Sequence, residues 1–319
     1  MSLLVALTAW DVPTWVNRFR RLMPDRQIHA LGDAYDPATI HYVASWKHPP
    51  GSLGHLANVR ALFSLGAGVD HLFGDPDLPK VPIVRIVDED LTARMSEYVV
   101  LHCLRILRQQ PRYDAQQARR LWQDDRDQPA AREVRVGIMG LGELGRDAAA
   151  KLKLMGFDVA GWSRSPKSLP GIETFAGEAG LDAFLARTDI LVLLLPLTAE
   201  TRGLIALPLL RKLAQDGRQD SNKLGGPFIV NAGRGGLQKE ADILQALNEG
   251  ILKGAVLDVF ETEPLPSSSP LWEHPGVTIT PHNAAMSAPD AIGRQVAEQI
   301  TAFDRGEPLR NLVEPARGY

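Results

Sequence analysis

The 319-residue chain contains one cysteine, Cys103, so no intramolecular disulfide can form and a reducing cytoplasm is the expected compartment. That thiol lies in the apolar helical stretch Tyr98 to Leu107 and is read as buried and inert rather than reactive. No apolar run is long enough to span a bilayer, so no membrane partner is expected. The opening Ser2-Leu3-Leu4-Val5-Ala6-Leu7 lacks a basic flank and stops at Thr8, as a first strand does and a signal peptide does not. A large excess of charge is also missing: the net charge is −3, which argues against nucleic acid as the main partner. Apolar residues make up 45% of the chain and charged residues 23%, the balance of a soluble globular protein of about two domains. There is no internal repeat and no low-complexity segment.

The most informative stretch present runs from Val134 through Gly137-Ile138-Met139-Gly140-Leu141-Gly142-Glu143-Leu144-Gly145, an apolar strand that feeds G-x-G-x-x-G and a helix. In such a turn Gly140 permits the tight bend, Gly142 lets the backbone approach a pyrophosphate, and Gly145 allows close helix packing. The amides of Leu141, Glu143 and Leu144 then face the anion at a helix N-terminus. Ala148, Ala149, Leu152 and Met155 continue at helical spacing, Gly156 ends the run, and Val159-Ala160-Gly161-Trp162 supplies the next strand. An NAD-selective site carries an acidic residue about 20 positions beyond the first glycine, where it binds the ribose hydroxyls. This chain has none there. Ser163-Arg164-Ser165 and Lys167 stand instead, offering hydroxyls and cations where a 2′-phosphate would project, so NADPH is expected over NADH.

Strand and helix alternate from about 134 to 282, as a parallel sheet covered on both faces requires. The strands include Ile190 to Leu195, Phe228 to Val230, Ala255 to Leu257 and Val277 to Ile279; helices are expected over Leu181 to Arg187 and Ala241 to Asn248. A second α/β pattern precedes residue 100, with strands near Leu3 to Leu7, Tyr42 to Ser45, Ala61 to Leu65 and Ile83 to Val87. A long helix from Thr92 to Arg108 joins the two, and a C-terminal helix from Pro289 to Asp304 is expected to return to the first. The expected fold class is therefore α/β, with two Rossmann-like doubly wound parallel-sheet domains. Residues 1–98 plus 287–319 form the substrate-binding domain and 99–286 the dinucleotide-binding domain, with the active site in the cleft between them. The polar, glycine-rich segment 215–226 interrupts the pattern as a surface loop of no assigned role, and 264–270 is a proline and serine turn region.

Beyond the glycine turn, three polar residues each follow an apolar strand: Arg234 in Asn231-Ala232-Gly233-Arg234-Gly235-Gly236, Glu263 in Asp258-Val259-Phe260-Glu261-Thr262-Glu263, and His282 in Thr280-Pro281-His282-Asn283. Strand carboxyl ends are where open α/β sheets bind ligands, so the three can meet despite their separation in sequence. No set of metal ligands is expected.

In this order, and with the glycine turn, the chain resembles the D-isomer-specific 2-hydroxyacid dehydrogenase family over nearly its full length. Within it the chain looks most like the glyoxylate/hydroxypyruvate reductase A type. Trp46-Lys47-His48-Pro49-Pro50, Ser64-Leu65-Gly66-Ala67-Gly68-Val69-Asp70, Met95-Ser96-Glu97-Tyr98, Trp162-Ser163-Arg164, Leu257-Asp258-Val259-Phe260, Ser269-Pro270-Leu271-Trp272 and the terminal Ala316-Arg317-Gly318-Tyr319 carry that closeness.

The resemblance implies reduction of glyoxylate to glycolate and of hydroxypyruvate to D-glycerate. Arg234 would bind the carboxylate and polarise the C2 carbonyl, His282 would protonate its oxygen as hydride arrives, and Glu263 would orient His282 and favour the imidazolium. The amides around Ala67, Gly68 and Val69 would hold the substrate carboxylate, and Trp46 and Lys47 would cap the pocket. Leu195 and Pro196 would pass beside the cofactor, Ala232 would lie against its nicotinamide ribose, and Asp258 would hold its carboxamide. Trp122 matches a position that in some relatives reaches from a dimerisation arm into the neighbouring subunit, which implies a homodimer.

Two enzyme alternatives stand close. A lactate-type dehydrogenase would use the same relay, whereas a phosphoglycerate-type enzyme would call for an added basic pocket and a regulatory extension, which the chain is not expected to carry. A formate dehydrogenase is disfavoured by Glu263, which that branch replaces with glutamine. From another class, a corepressor-like sensor of NAD(P)H would bind the nucleotide without turning over a 2-oxoacid.

Overall fold

Alternate residues of the first strand, β1 (Ser2–Leu7), bury into different cores: Leu3, Val5 and Leu7 into one, Leu4 and Ala6 into the other. A strand covered on both faces has no use for polar alternation, which is why it reads as an unbroken apolar run. The structure is a computed structural model that describes residues 1–8, 10–124, 128–216, 224–315 and 318. The chain divides into two units, Met1–Leu91 with Ser287–Tyr319, and Thr92–Met286.

The first unit is built on a parallel sheet of order β2-β1-β3-β4-β5, with helix α1 (Val12–Leu22), β2 (Gln27–Ala30), β3 (Ile40–Trp46), β4 (Ala61–Ser64) and β5 (Ile83–Val84). Its C-terminal helix, Pro289–Asp304, packs against α1, so the unit is assembled from both ends of the chain. Asp304 ties that helix to the sheet: it accepts the Tyr42 hydroxyl at 2.5 Å and ion-pairs with Arg26 and Arg60.

The second unit begins within α2 (Glu89–Leu107) and continues through α3 (Gln110–Ala118), β6 (Arg135–Met139), α4 (Glu143–Leu154), β7 (Asp158–Ser163), β8 (Glu173–Ala176), α5 (Gly177–Ala186), β9 (Ile190–Leu193) and α6 (Leu207–Leu210). It closes with β10 (Phe228–Asn231), α7 (Glu240–Asn248), β11 (Gly254–Leu257) and β12 (Val277–Ile279), and the C-terminal helix of the first unit is then α8. All seven strands are parallel, in the order β12-β11-β10-β9-β6-β7-β8. The chain winds outward from β6 to β8, returns to the other side at β9 and winds out again to β12. The carboxyl ends of β6 and β9 therefore flank a topological switch point, where open α/β sheets form a ligand crevice.

The Asp189 carboxylate, 1% exposed, anchors the opposite end of this sheet. It accepts the Arg135 backbone amide at 2.8 Å and both Nε and Nη2 of the same guanidinium, at 3.0 and 2.7 Å. A bidentate, charge-assisted pair of this kind locks the starts of β6 and β9 in register. Cys103 is fully buried in the α2 core, and burial pushes its thiol up to about 12, so it is inert.

Five of these elements lie where no regular pattern is read from the sequence: α1, β2, α3, β8 and α6. The edge strand β8 is only partly buried and pairs on one side, so it carries no continuous apolar run. Helix α2 starts earlier than Thr92, because Glu89 and Asp90 suit the positive end of its dipole. Strand β9 stops at Leu193, short of Leu195, because the turn after β6 crosses the backbone of Leu194 there. Most of segment 215–226 and nearly all of 316–319 lie outside the described residues.

The third glycine of the turn has the tightest environment. A Cβ built on Gly145 would lie 1.8 Å from the Gly140 carbonyl oxygen, whereas one on Gly142 would meet nothing within 4 Å. Gly145→Ala is expected to lower the unfolding free energy by about 1–3 kcal/mol, as forced overpacking does. Gly142→Ala should cost under about 1 kcal/mol. Urea denaturation of the two variants checks this, and equal losses would contradict the packing role of Gly145.

Candidate active site

The glycine turn leaves β6 and enters α4 at its N-terminus. Gly140 adopts φ +112, a left-handed conformation, and donates its amide to the Trp162 carbonyl at 2.9 Å, which binds the turn to β7. Leu141 points into the core, under Gly161, while Glu143 is half-exposed and pairs along the helix surface with Arg146. No side chain of the N-cap caps this first helical turn, which starts beside the switch point.

At the end of β7, Ser163 is buried and donates from Oγ to the Ser165 carbonyl at 2.8 Å, which shapes the bend that carries Arg164. Arg164 is half-exposed and ion-pairs at 3.0 Å with Glu200, an acid on the loop after β9. Nothing in the sequence pairs these two, since they are joined only by strand order. Lys167 is exposed on the same loop, and its carbonyl accepts Thr174 Oγ1 at 2.7 Å. Leu195 and Pro196 follow β9, where the Pro196 carbonyl accepts the Thr201 hydroxyl at 2.8 Å.

Arg234, Glu263 and His282 stand on the loops after β10, β11 and β12, three neighbouring strands of one parallel sheet. The Arg234 turn is organised from within. Buried Asn231 accepts the Gly233 amide at 3.0 Å and donates to the Arg234 carbonyl at 3.2 Å and to buried Gln238 at 2.7 Å. Gln238 in turn donates to the Val259 carbonyl at 3.0 Å, which ties the turn to the loop after β11. That contact is close: a Cβ on Gly235 would lie 1.8 Å from the Phe260 carbonyl oxygen. Ala232 is buried beneath the turn.

The loop after β11 brings Glu263 back on itself. One carboxylate oxygen accepts the Phe260 amide at 3.1 Å and the other meets His282 Nδ1 at 2.7 Å. An ionised carboxylate can only accept, so Nδ1 carries a proton. His282 has φ +53, a left-handed conformation uncommon outside glycine. Asp258, 1% exposed, receives its neighbours: Thr280 Oγ1 at 2.6 Å, and the amides of Asn283 at 2.9 Å and Ala284 at 3.0 Å.

In the first unit, Trp46 ends β3 with its ring over Gly66, stacked on Trp10 at 5.3 Å between centroids and 4.6 Å from His71. Lys47 follows at φ +50, and its carbonyl accepts the Thr8 hydroxyl. A buried chain underlies this bend: Ser45 Oγ meets His48 Nδ1 at 2.7 Å, and His48 Nε2 meets Asp75 at 2.9 Å. Burial alone would raise the Asp75 carboxyl, but the Gly51 and Asp77 amides and His48 outweigh it and hold it below the ordinary range. Ser64 donates to the carbonyls of Gly66 and Gly68, at 3.1 and 3.0 Å, and so folds the loop of Ala67, Gly68 and buried Val69. Trp10, Gln238 and Glu200 are absent from the candidates read in sequence, because each acts through a tertiary contact; Ser64, which acts within its own loop, is absent too. Trp122, on the loop after α3, is 98% exposed.

Residues 100–284 match the model of the D-isomer specific 2-hydroxyacid dehydrogenase NAD binding domain. The chain is 39% identical to glyoxylate/hydroxypyruvate reductase A of Escherichia fergusonii and 38% identical to that of Klebsiella pneumoniae, each over the whole of both chains. Among solved structures, the NADPH-dependent glyoxylate/hydroxypyruvate reductase of Sinorhizobium meliloti, in complex with NADP and sulfate, superposes with a TM-score of 0.92 at 46% identity, covering all of both chains. A probable 2-hydroxyacid dehydrogenase of Rhizobium etli, in complex with NADP, HEPES and L(+)-tartaric acid, does so with 0.92 at 48% identity, covering 100% of this chain and 99% of the other. Two parallel sheets of five and seven strands agree with these matches, and the chain belongs to the D-isomer specific 2-hydroxyacid dehydrogenase family.

Proposed function

We propose that this chain reduces small 2-oxoacids with NADPH, taking glyoxylate to glycolate and hydroxypyruvate to D-glycerate. The observation that carries the reading is the 2.7 Å pair between His282 Nδ1 and Glu263, one loop away from the Arg234 turn. NADPH, when bound, supplies a hydride to the carbonyl carbon. The pyrophosphate fits the turn at Gly140 to Gly145, where a Cβ on Gly142 would meet no protein atom and no N-cap side chain caps the α4 amides.

The chain's own residues do the rest. The forked donors of Arg234 suit a carboxylate and its neighbouring carbonyl, whose oxygen gains negative charge as the hydride arrives. The doubly protonated ring of His282 delivers a proton from Nε2 to that oxygen, and Glu263, accepting from Nδ1, fixes the ring. In the first unit, the amides of Ala67, Gly68 and Val69, with Trp46 and Lys47 on the neighbouring strand end, suit a carboxylate. Leu195, Pro196, Ala232 and Asp258 line the nicotinamide end. Residues 99–286 serve as the dinucleotide-binding domain, and 1–98 with 287–319 as the substrate-binding domain.

Cofactor choice rests on Arg164. A single exposed ion pair such as Arg164–Glu200 contributes little, so a 2′-phosphate of higher charge can displace Glu200 from the guanidinium. The homodimer is supported by Trp122, Leu121 and Leu101, large apolar side chains that stand exposed on or beside α2 and α3. No helix among the described residues is long and apolar enough to cross a membrane, and a lone buried thiol suits a reducing cytoplasm.

A steady-state panel of glyoxylate, hydroxypyruvate and pyruvate with NADPH and NADH tests the assignment. Fastest turnover with pyruvate would favour a lactate-type enzyme, and none with any 2-oxoacid would favour a nucleotide sensor. His282→Ala should lower kcat by about 10²-fold or more, the worth of a general acid, while the Kd for NADPH read by fluorescence titration stays within about threefold. Arg234→Ala should raise KM for the 2-oxoacid and lower kcat together, since it removes both binding and carbonyl polarisation. Arg164→Ala should raise KM for NADPH about tenfold, the loss of one charge-assisted contact, and leave that for NADH within about twofold. An unchanged NADPH to NADH ratio would remove Arg164 from the cofactor site.

A further inference from the structure

The backbone around His282 is held largely from Asp258, although the His282 amide also reaches the Thr280 carbonyl, at 3.1 Å. Asp258 at the end of β11 accepts the His282 amide on its carbonyl at 2.8 Å, and its carboxylate accepts the amides of Asn283 and Ala284 at 2.9 and 3.0 Å. The fourth contact is the Thr280 hydroxyl, at 2.6 Å from the carboxylate oxygen that also accepts Asn283. Residues on both sides of His282 are thereby bound to a single buried side chain. A non-glycine residue in the left-handed region costs on the order of 1 kcal/mol or more and persists only where its surroundings over-determine it.

A further residue from another element completes the arrangement. Tyr98, on α2, lies with its hydroxyl 2.7 Å from Thr280 Oγ1. Thr280 has one hydroxyl proton, and the carboxylate of Asp258 can take it only as an acceptor. The Tyr98 hydroxyl is therefore the donor to Thr280, and the chain of donation runs from Tyr98 through Thr280 to Asp258. Burial, reinforced by the Asp258 charge, pushes the Tyr98 phenol up, so it keeps its proton throughout the working range. The neighbouring ring 4.3 Å away, His102, is drawn down to about 4 by burial and by Arg105, against the pull of Asp258, and so adds no positive charge near neutral pH. Neutral donors alone meet the Asp258 carboxylate among the contacts of the described residues.

We propose that Tyr98, Thr280 and Asp258 form a buried brace that fixes His282 in its left-handed conformation, and that Tyr98 and Thr280 are positioning residues for proton transfer. This rests on the reading of His282 as the proton donor. Two independent constraints then set Nε2: Glu263 holds the rotation of the ring through Nδ1, and the brace holds the backbone from which the ring projects. Neither Tyr98 nor Thr280 needs to touch substrate. A displacement of about 1 Å at a reacting group can cost up to about a hundredfold in rate, so a brace remote from the chemistry can still govern it.

Thr280→Val keeps the branched shape and removes the hydroxyl, whereas Thr280→Ser keeps the hydroxyl. Thr280→Val should lower kcat about tenfold with KM for NADPH within about twofold, and Thr280→Ser should restore kcat to within about twofold of the parent. Tyr98→Phe should lower kcat by about threefold, and adding it to Thr280→Val should lower kcat no further, since both act through one chain. Amide hydrogen exchange over residues 280–284, followed by mass spectrometry, should speed up about tenfold in Thr280→Val and not in Thr280→Ser. Equal kcat in Thr280→Val and the parent, equal losses in the Val and Ser variants, or a rise in KM for NADPH at constant kcat would each overturn the proposal. So would unchanged exchange in a Thr280→Val protein that melts with the parent. Failure of the underlying reading looks different: His282→Ala would then turn over normally, whatever the exchange rates show.

Discussion

All seven strands of the larger sheet run in one direction, and this constraint places every loop that leaves a carboxyl end on the same edge. The glycine turn, the Ser163-Arg164-Ser165 bend, the Leu195-Pro196 segment, and the loops of Arg234, Glu263 and His282 follow β6, β7, β9, β10, β11 and β12 respectively. Residues far apart in the chain become neighbours because register fixes which strand ends lie side by side. Apolar burial on both faces holds that register, and the Arg135–Asp189 pair pins it at the opposite end.

Within this frame the backbone approaches itself more closely than side chains allow. Gly145 lies against the Gly140 carbonyl and Gly235 against the Phe260 carbonyl, so the glycine turn and the arginine turn are both compressed into positions that no larger residue could occupy unmoved. Compression of this kind narrows the range of positions open to a functional group. It does for the backbone what Glu263 does for the imidazole of His282.

The same logic recurs at two residues with left-handed backbones, Lys47 in one unit and His282 in the other. Beside each is a buried polar chain that ends on a carboxylate: Ser45, His48 and Asp75 below Lys47, and Tyr98, Thr280 and Asp258 beside His282. A buried carboxylate is costly unless its lone pairs are met, and here backbone amides meet them together with the His48 imidazole at Asp75 and the Thr280 hydroxyl at Asp258. The cost of burial is thus offset by contacts that also hold an unusual backbone in place.

Local chemistry is what the sequence by itself determined. The glycine turn, the apolar strands, helix α8 and the order of Arg234, Glu263 and His282 are written in adjacent residues, because steric permission at glycine and burial on both faces leave marks of short range. Element ends were less legible: β9 stops where the Gly140 turn crosses it, and β8, with one sheet neighbour, carries no apolar run. The tertiary structure alone decided that Arg164 faces Glu200, that Trp46 stacks on Trp10, that Gln238 supports the Arg234 turn, and that Tyr98 reaches Thr280. These partners meet because parallel strands and the helices packed on them align distant segments, and no periodicity within a segment records which distant residue will face it.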